Sequence, residues 1–213
     1  MVDRTDRRDG LLLAASVSNI DLDFVDGVNG DKVQDKALPP IHDEGMSAGS
    51  KGAWRGHMNA ISRVVQNDWS TTLILEDDID WDVRLRMRLL DFAMGSTHVL
   101  RDYYRNTDAP RHEVDHMPAA NWSPYGDDWD VLWLGHCGAC ISSPSRNVLF
   151  NDDVTVPELN KVSSFDGRQQ TYMSVYPPHT RIITKIYDAT CTLGYAVSQK
   201  GARALLHELG LES

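Results

Sequence analysis

Cysteine is scarce in this chain: among its 213 residues only Cys137, Cys140 and Cys191 carry thiols. Three thiols are too few for a scaffold built from disulfides, and their odd number leaves at least one unbonded or bonded to another molecule. The sequence favours a Cys137–Cys191 disulfide in a lumenal compartment, with three ordinary buried thiols as the alternative. A structural zinc site made by His136 and the C-x-x-C pair is disfavoured, because no second cysteine pair completes it.

Long apolar runs are also lacking, and basic residues are outnumbered. No segment approaches the apolar length of a membrane span, and the first residues do not resemble a signal peptide. The 21 basic residues face 31 acidic ones, and the resulting net charge of −10 argues against a nucleic-acid partner, which requires a basic face. With 41% hydrophobic and 24% charged residues, the chain is typical of a soluble globular domain, here one spanning residues 1–213.

Helical and strand patterns alternate along the chain, which predicts a mixed α/β fold. Apolar residues at helical spacing predict a helix that includes Leu11–Val17, with Thr5 or Asp6 as N-cap, and another from Ser50 to about Asn67. Two more helices are expected, from about residue 82 to 106 with a break at 95–96, and after residue 198. Short apolar runs predict strands at residues 22–25, 71–75, 129–134, 181–187 and 193–197, of which the one at 71–75 is expected to be buried. Residues 29–50 are expected to form a surface loop.

Acidic residues cluster where the predicted strand at 71–75 ends: positions 76, 77, 78, 80 and 82 are all carboxylates. Ligands of open α/β sheets bind outside the carboxyl ends of strands, so this position favours a binding site over a solvated surface patch. Hard cations such as Mn²⁺ or Mg²⁺ take carboxylate oxygens and bridge to phosphate oxygens. An EF-hand calcium loop is excluded, because Val83 and Leu89 stand where Gly and Glu are required. The cluster therefore predicts a metal site for a diphosphate.

Another metal motif, H-E-x-x-H, is spelled by residues His112, Glu113 and His116. On a helix this motif binds zinc through both histidines, and the glutamate activates the metal-bound water. Pro110 and Pro118 bracket it and leave barely two turns for such a helix. The longer pattern also fails, since alanine and tryptophan stand where it requires glycine and a third histidine. A zinc metalloprotease is therefore kept only as a second alternative function.

Four blocks of the sequence carry a family resemblance. They are R-T-D-R-R at residues 4–8, G-A-W-R-G-H-M-N at 52–59, L-I-L-E-D-D at 73–78 and T-L-G-Y-A-V-S-Q-K-G-A at 192–202. Together they resemble glycosyltransferase family 25, specifically its fungal branch, and their order and spacing agree with that family over nearly the whole chain. The family includes lipopolysaccharide galactosyltransferases of bacteria and collagen galactosyltransferases.

The resemblance implies a GT-A-like, Rossmann-like sheet that is flanked by helices and binds a nucleotide sugar. It implies metal ligands among the acids of the turn, and nucleotide contacts from a histidine, an aspartate and three arginines. The metal residues are Glu76, Asp78 and Asp80, and the nucleotide residues are Arg4, Arg7, Arg8, His57 and Asp77. Two alternatives stay open: the arginines can form a solvated basic helix start, and His57 can simply pack beneath the acidic turn.

The implied function is metal-dependent transfer of a hexose such as galactose from a UDP-sugar to a carbohydrate, glycoprotein or hydroxyl acceptor. The implied compartment is the Golgi or ER lumen, although the lack of a targeting segment leaves the cytoplasm open, and membrane contact is expected only through an anchor outside this chain. The family has a strand before R-x-D-R-R and continues beyond the last helix, so the chain is expected to be an incomplete member. The first alternative is thus an inactive remnant with residual nucleotide binding. No residue is assigned as catalytic base.

Overall fold

The computed structural model of this chain describes residues 4–39, 45–105, 123–126, 128–141, 147–162, 171 and 173–210. Both helices and strands are present, so the predicted mixed α/β class is confirmed. In chain order the elements are α1 (Thr5–Ser18), α2 (Ala48–Gln66), β1 (Thr71–Leu75), α3 (Leu85–Arg105), β2 (Val131–Gly135), β3 (Gly138–Ile141), β4 (Val148–Phe150), β5 (Arg181–Ile183), β6 (Ile186–Thr190), β7 (Gly194–Ser198) and α4 (Gln199–Gly210). Short 3-10 helices lie at Gly30–Lys32, Asp35–Ala37 and Leu159–Lys161.

The chain divides into two compact units. Unit 1 is Met1–Asp80, Asp130–Leu134 and Leu193–Ser213; unit 2 is Trp81–Trp129 and Gly135–Thr192. The expectation of one domain over residues 1–213 stays a prediction, and each unit is described by itself below. Within the described residues, no helix has both the length and the apolar character that crossing a bilayer requires.

Unit 1 is built on a three-stranded sheet in the order β1-β7-β2, in which β1 and β7 run antiparallel. Its core is formed by side chains from α2, β1, β7 and α4, namely Ile61, Val64, Ile74, Tyr195, Val197 and Ala202. Each contributing element places an apolar residue on the face turned toward this core, as the sequence periodicities require. The three strand pairings with an established register, β1·β7, β3·β6 and β4·β5, are all antiparallel. A Rossmann-like sheet is mostly parallel, so that part of the expected fold stays a prediction.

The predicted ends of the helices in unit 1 are largely confirmed. Ser47 caps α2, because its side chain accepts a hydrogen bond from Ser50 N at 3.1 Å, and the helix ends before Asn67 as expected. Ser198 caps α4 in the same way by accepting from Gly201 N at 2.9 Å. The predicted N-cap of α1 is wrong: the helix already includes Thr5, and the residue before it, Arg4, makes no side-chain cap.

Three further expectations about local structure are corrected. Residues 22–25 form no strand, and the Phe24 carbonyl instead accepts a hydrogen bond from Arg63 Nη1 at 3.2 Å. The 29–50 loop contains two 3-10 turns, and α2 begins within it at Ala48. Strand β1 is an edge of the described sheet rather than fully buried, and 37% of Leu73 is exposed.

Unit 2 contains α3 and two antiparallel strand pairs, β3 with β6 and β4 with β5. The break expected at 95–96 does not occur, since α3 continues through Gly95, whose missing side chain lets the helix approach Ile183 closely. The strand predicted over residues 181–187 is two strands, β5 and the start of β6. The predicted disulfide is confirmed: Cys137 and Cys191 are bonded, and Cys140 is a buried cysteine outside that bond.

Candidate functional site

Unit 1 contains an open cleft of about 810 Å³. Its walls are the first turns of α1, the segment 21–30, the face of α2 around Gly52 and the strand β1 with the acidic turn that follows it. Close approach of backbones shapes one wall: a Cβ on Gly30 would lie 1.7 Å from Ala48 O, so only glycine fits there. The cleft brings together most of the site residues predicted from the sequence, which are Arg4, Arg7, Arg8, His57, Glu76, Asp77 and Asp78.

Arg7 lines the cleft and contacts two carboxylates of the acidic turn. Its Nη1 atom donates a hydrogen bond to Asp77 Oδ1 at 2.7 Å and lies 3.1 Å from Asp78 Oδ2. All three side chains are 34–44% exposed, so solvent weakens the attraction and the groups can exchange partners. The first turn of α1 is thereby held beside the end of β1, 70 residues further along the chain.

Glu76 is held differently, by a histidine that a tyrosine in turn positions. His57 on α2 places Nε2 3.3 Å from Glu76 Oε1 and Nδ1 2.9 Å from the Tyr195 hydroxyl on β7. An ionised carboxylate only accepts, so in the neutral imidazole Nε2–H donates to Glu76 and Nδ1 accepts from Tyr195. Burial raises the pKa of Tyr195, with a further contribution from the charge of Glu76, and its hydroxyl therefore keeps its proton.

Main-chain pairing fixes the position of Glu76 as well. Its N–H donates to Leu193 O at 3.0 Å and extends the β1–β7 ladder by one step. Trp133 lies on β2, the other neighbour of β7 in the sheet, and its ring stacks on the ring of Tyr195 with centroids 5.9 Å apart. The carboxylate is thus anchored from the sheet and from α2, which is a rigid base for a site.

The other predicted site residues, Arg4, Arg8 and Asp80, differ from Arg7 and His57 in their position or their partners. Arg4, which precedes α1, pairs with Asp6 in the first turn of that helix, and the hydrogen bond from Arg4 lowers the pKa of Asp6 to about 2. Arg8 lies over the ring of Phe24 at 4.5 Å from its centroid. Asp80 is exposed and does not line the cleft. The structure therefore joins Arg7, His57, Glu76, Asp77 and Asp78 directly, while Arg4 and Arg8 line the same cleft with other partners.

The donor set suits a cation shared with a ligand. Within the described part of the chain, no group of three or more His, Cys, Asp or Glu side chains is arranged to hold a metal alone. Mg²⁺ and similar hard ions are commonly held by one or two carboxylates, with substrate phosphates completing the coordination. Asp77 and Asp78, which both contact one guanidinium nitrogen, could hold an ion in this way, with two carboxylates from the protein and further oxygens from a phosphate.

Sequence reasoning missed several parts of the site. Tyr195 was assigned only to a strand, and Phe24 to a strand that does not form. The sequence signal for Tyr195 was present, because a tyrosine inside an apolar core strand needs a hydroxyl partner, and His57 is that partner. Nothing in the sequence indicated that Arg8 would lie over Phe24, since this depends on the path of residues 19–29.

The comparisons with known families leave the site to be interpreted from its own geometry, because no protein-family model matches this chain. The structure argues against one of the two zinc sites considered from the sequence and does not describe the other. Cys137 is bonded to Cys191, so it cannot join Cys140 and His136 as a thiolate ligand. The H-E-x-x-H residues His112, Glu113 and His116 lie outside the described residues.

Proposed function

We propose that unit 1 binds a nucleoside diphosphate sugar, and that the protein is a metal-dependent glycosyltransferase that transfers a hexose to a carbohydrate, glycoprotein or hydroxyl acceptor. The observation that carries the proposal is the acidic turn of Glu76, Asp77 and Asp78 at the carboxyl end of β1, on the wall of a large cleft and joined there to Arg7.

The charges of the cleft favour a diphosphate with a cation. Carboxylates alone would repel phosphate, and arginines alone would need no acidic turn; their presence together matches a metal–diphosphate pair. Bound there, Mn²⁺ or Mg²⁺ supplies Lewis-acid stabilisation of the negative charge on the departing nucleoside diphosphate. Arg7, Arg8 and Arg4 lie on the same wall and can bind phosphate oxygens by charge-assisted hydrogen bonds.

The sequence resemblance to glycosyltransferase family 25 is the second support. It implies Glu76, Asp78 and Asp80 as metal residues and Asp77 and the three arginines as nucleotide residues, and it makes a GT-A-like sheet the proposed architecture of unit 1. A UDP-sugar, with galactose as the first sugar to try, is the proposed donor. The Cys137–Cys191 disulfide supports an oxidising compartment such as the Golgi or ER lumen, because such bonds persist where thiols are not kept reduced.

Titration calorimetry of UDP into the protein with and without Mn²⁺ tests the proposal. We expect UDP binding that requires Mn²⁺ and is lost in Asp78→Asn, which removes one carboxylate charge from the pair. Asp35→Asn is the matched control, because Asp35 is a carboxylate paired with Lys51 and does not line the cleft. Equal UDP binding with and without Mn²⁺, or in both variants, would count against the proposal.

Hydrolysis of UDP-galactose in the same samples separates the alternatives. Mn²⁺-dependent UDP binding together with slow release of galactose supports an active transferase. Binding with no turnover at any enzyme concentration supports the inactive relative of that family. Tight Zn²⁺ binding without UDP binding would favour the metalloprotease instead.

A further inference from the structure

Arg7 occupies the place of a counter-ion at the acidic turn. One of its nitrogens, Nη1, is within 3.1 Å of both Asp77 and Asp78, so a single positive group already bridges the two carboxylates. The bridge joins separate elements, the first turn of α1 and the end of β1. Neighbouring Glu76 has its own hydrogen bond from His57 and does not depend on Arg7.

A guanidinium and a divalent cation cannot share these oxygens freely. Both are attracted to the same lone pairs, and two positive groups brought to one carboxylate pair repel each other. A cation that binds Asp77 and Asp78 must therefore displace Arg7 or accept fewer oxygens. The displaced guanidinium remains on the cleft wall, where phosphate offers it a bidentate partner.

We propose that Arg7 is an exchanging cation: without ligand it offsets part of the negative charge of Asp77 and Asp78, and on binding of metal and diphosphate it moves to the phosphate. The inference rests on the proposed function and deepens it by giving Arg7 opposite effects on the two ligands. It weakens binding of the metal alone, because it must be displaced. It strengthens binding of the nucleotide once the metal is present, because it then gains a phosphate partner.

Two affinities measured in Arg7→Met test the exchange. Binding of Mn²⁺ alone, followed by the electron paramagnetic resonance signal of the unbound ion, is expected to tighten roughly fivefold, about the effect of removing one half-exposed competing ion pair. Binding of UDP at saturating Mn²⁺ is expected to weaken roughly tenfold, the effect of one lost charge-assisted contact. General damage to the site would weaken both, so the opposite signs are the diagnostic result.

The control variants separate displacement of Arg7 by the metal from the general effect of removing one positive charge. Lys51→Met removes the same charge from a pair with Asp35 outside the acidic turn and is expected to leave Mn²⁺ affinity within about twofold. Arg7→Lys keeps the charge and should bind Mn²⁺ nearly as the native protein does. Unchanged or weaker Mn²⁺ binding in Arg7→Met overturns the exchange. Failure of UDP to bind the native protein with Mn²⁺ overturns the proposed function instead, while the Mn²⁺ affinities still report on Arg7.

Discussion

The three carboxylates of the acidic turn differ in what holds them. Glu76 is fixed by a main-chain hydrogen bond and by His57, which is itself positioned by Tyr195. Asp77 and Asp78 are held by the half-exposed side chain of Arg7. A fixed carboxylate next to two exchangeable ones gives the turn a stable anchor and a part that can adapt to a ligand.

At the residue scale, Gly201 is a position where a single methyl group should destabilise unit 1. A Cβ there would lie 2.1 Å from Asp130 O, and the rigid backbone of residue 130 cannot move aside as a side chain would. We expect Gly201→Ala to lower the free energy of unfolding by about 2–3 kcal/mol, measured by urea denaturation.

Gly10 is the matched control for that substitution. It lies inside α1, and a Cβ there meets nothing within 4 Å. Gly10→Ala should therefore raise the free energy of unfolding by up to about 1 kcal/mol, since alanine has the higher helix propensity. If both substitutions destabilise equally, close contact between α4 and residue 130 is not the reason for the glycine.

At the scale of elements, a strong pattern made an element predictable. The apolar spacing in α2, the β-branched run of β1 and the Ser198 cap of α4 each determine local structure from neighbouring residues alone. Residues 22–25 carry an apolar run of the same kind but form no strand. A strand also needs a partner edge, and partners are determined by distant parts of the chain.

The site was predictable to the same extent. Glu76, Asp77 and Asp78 follow β1 directly, so their clustering could be read from the sequence. Their partners could not: Arg7 is 70 residues from Asp77, and Tyr195 is 138 residues from His57. Such contacts depend on how the helices pack on the sheet, for which a single sequence holds no local signal.

In unit 2, the buried carboxylate of Asp153 joins the segment after β4 to strand β5. Asp153 is 4% exposed and accepts hydrogen bonds from Thr155 Oγ1 at 2.6 Å and from Arg181 Nε at 2.6 Å. Burial alone would raise the pKa of Asp153, but the hydrogen bonds from Thr155 and Arg181 overcome this and hold that pKa well below its ordinary value. Because the Arg181 side chain is 32% exposed and also donates to Thr155 Oγ1, Asp153→Ala should cost about 2–3 kcal/mol of stability at pH 7, the loss of hydrogen bonds to a charged group.

The pH dependence of that cost has a definite sign. Because the pKa of Asp153 is lower in the folded protein than in the unfolded chain, its ionisation stabilises the fold at every pH above the ordinary value of 3.8. The stabilisation is lost as pH falls below 3.8 toward the depressed pKa. The difference in unfolding free energy between native protein and Asp153→Ala, measured by urea denaturation, should therefore shrink from pH 7 to pH 3. A constant difference would contradict the ionic role of Asp153.

At the scale of the whole molecule, covalent chemistry and charge act on different parts of the chain. The chain carries a net charge of −10, and the acidic turn of unit 1 adds to a field that attracts cations. Unit 2 is instead closed by a bond: Cys137 and Cys191 lie close to the two ends of its segment 135–192. Stability of that unit should therefore depend on redox conditions, whereas the metal binding proposed for the acidic turn should depend on ionic strength.

Reduction of the disulfide gives the test at this scale. The bond closes a loop with a sequence separation of 54, and loop-closure entropy predicts that removing it lowers the free energy of unfolding by about 4 kcal/mol. Cys137→Ser combined with Cys191→Ser should reproduce the loss and should no longer respond to reductant in urea denaturation. Cys140→Ala is the control, because that cysteine lies outside the disulfide and its variant should keep the response to reductant. Native protein whose unfolding midpoint is the same with and without reductant would show that the loop is not closed in solution.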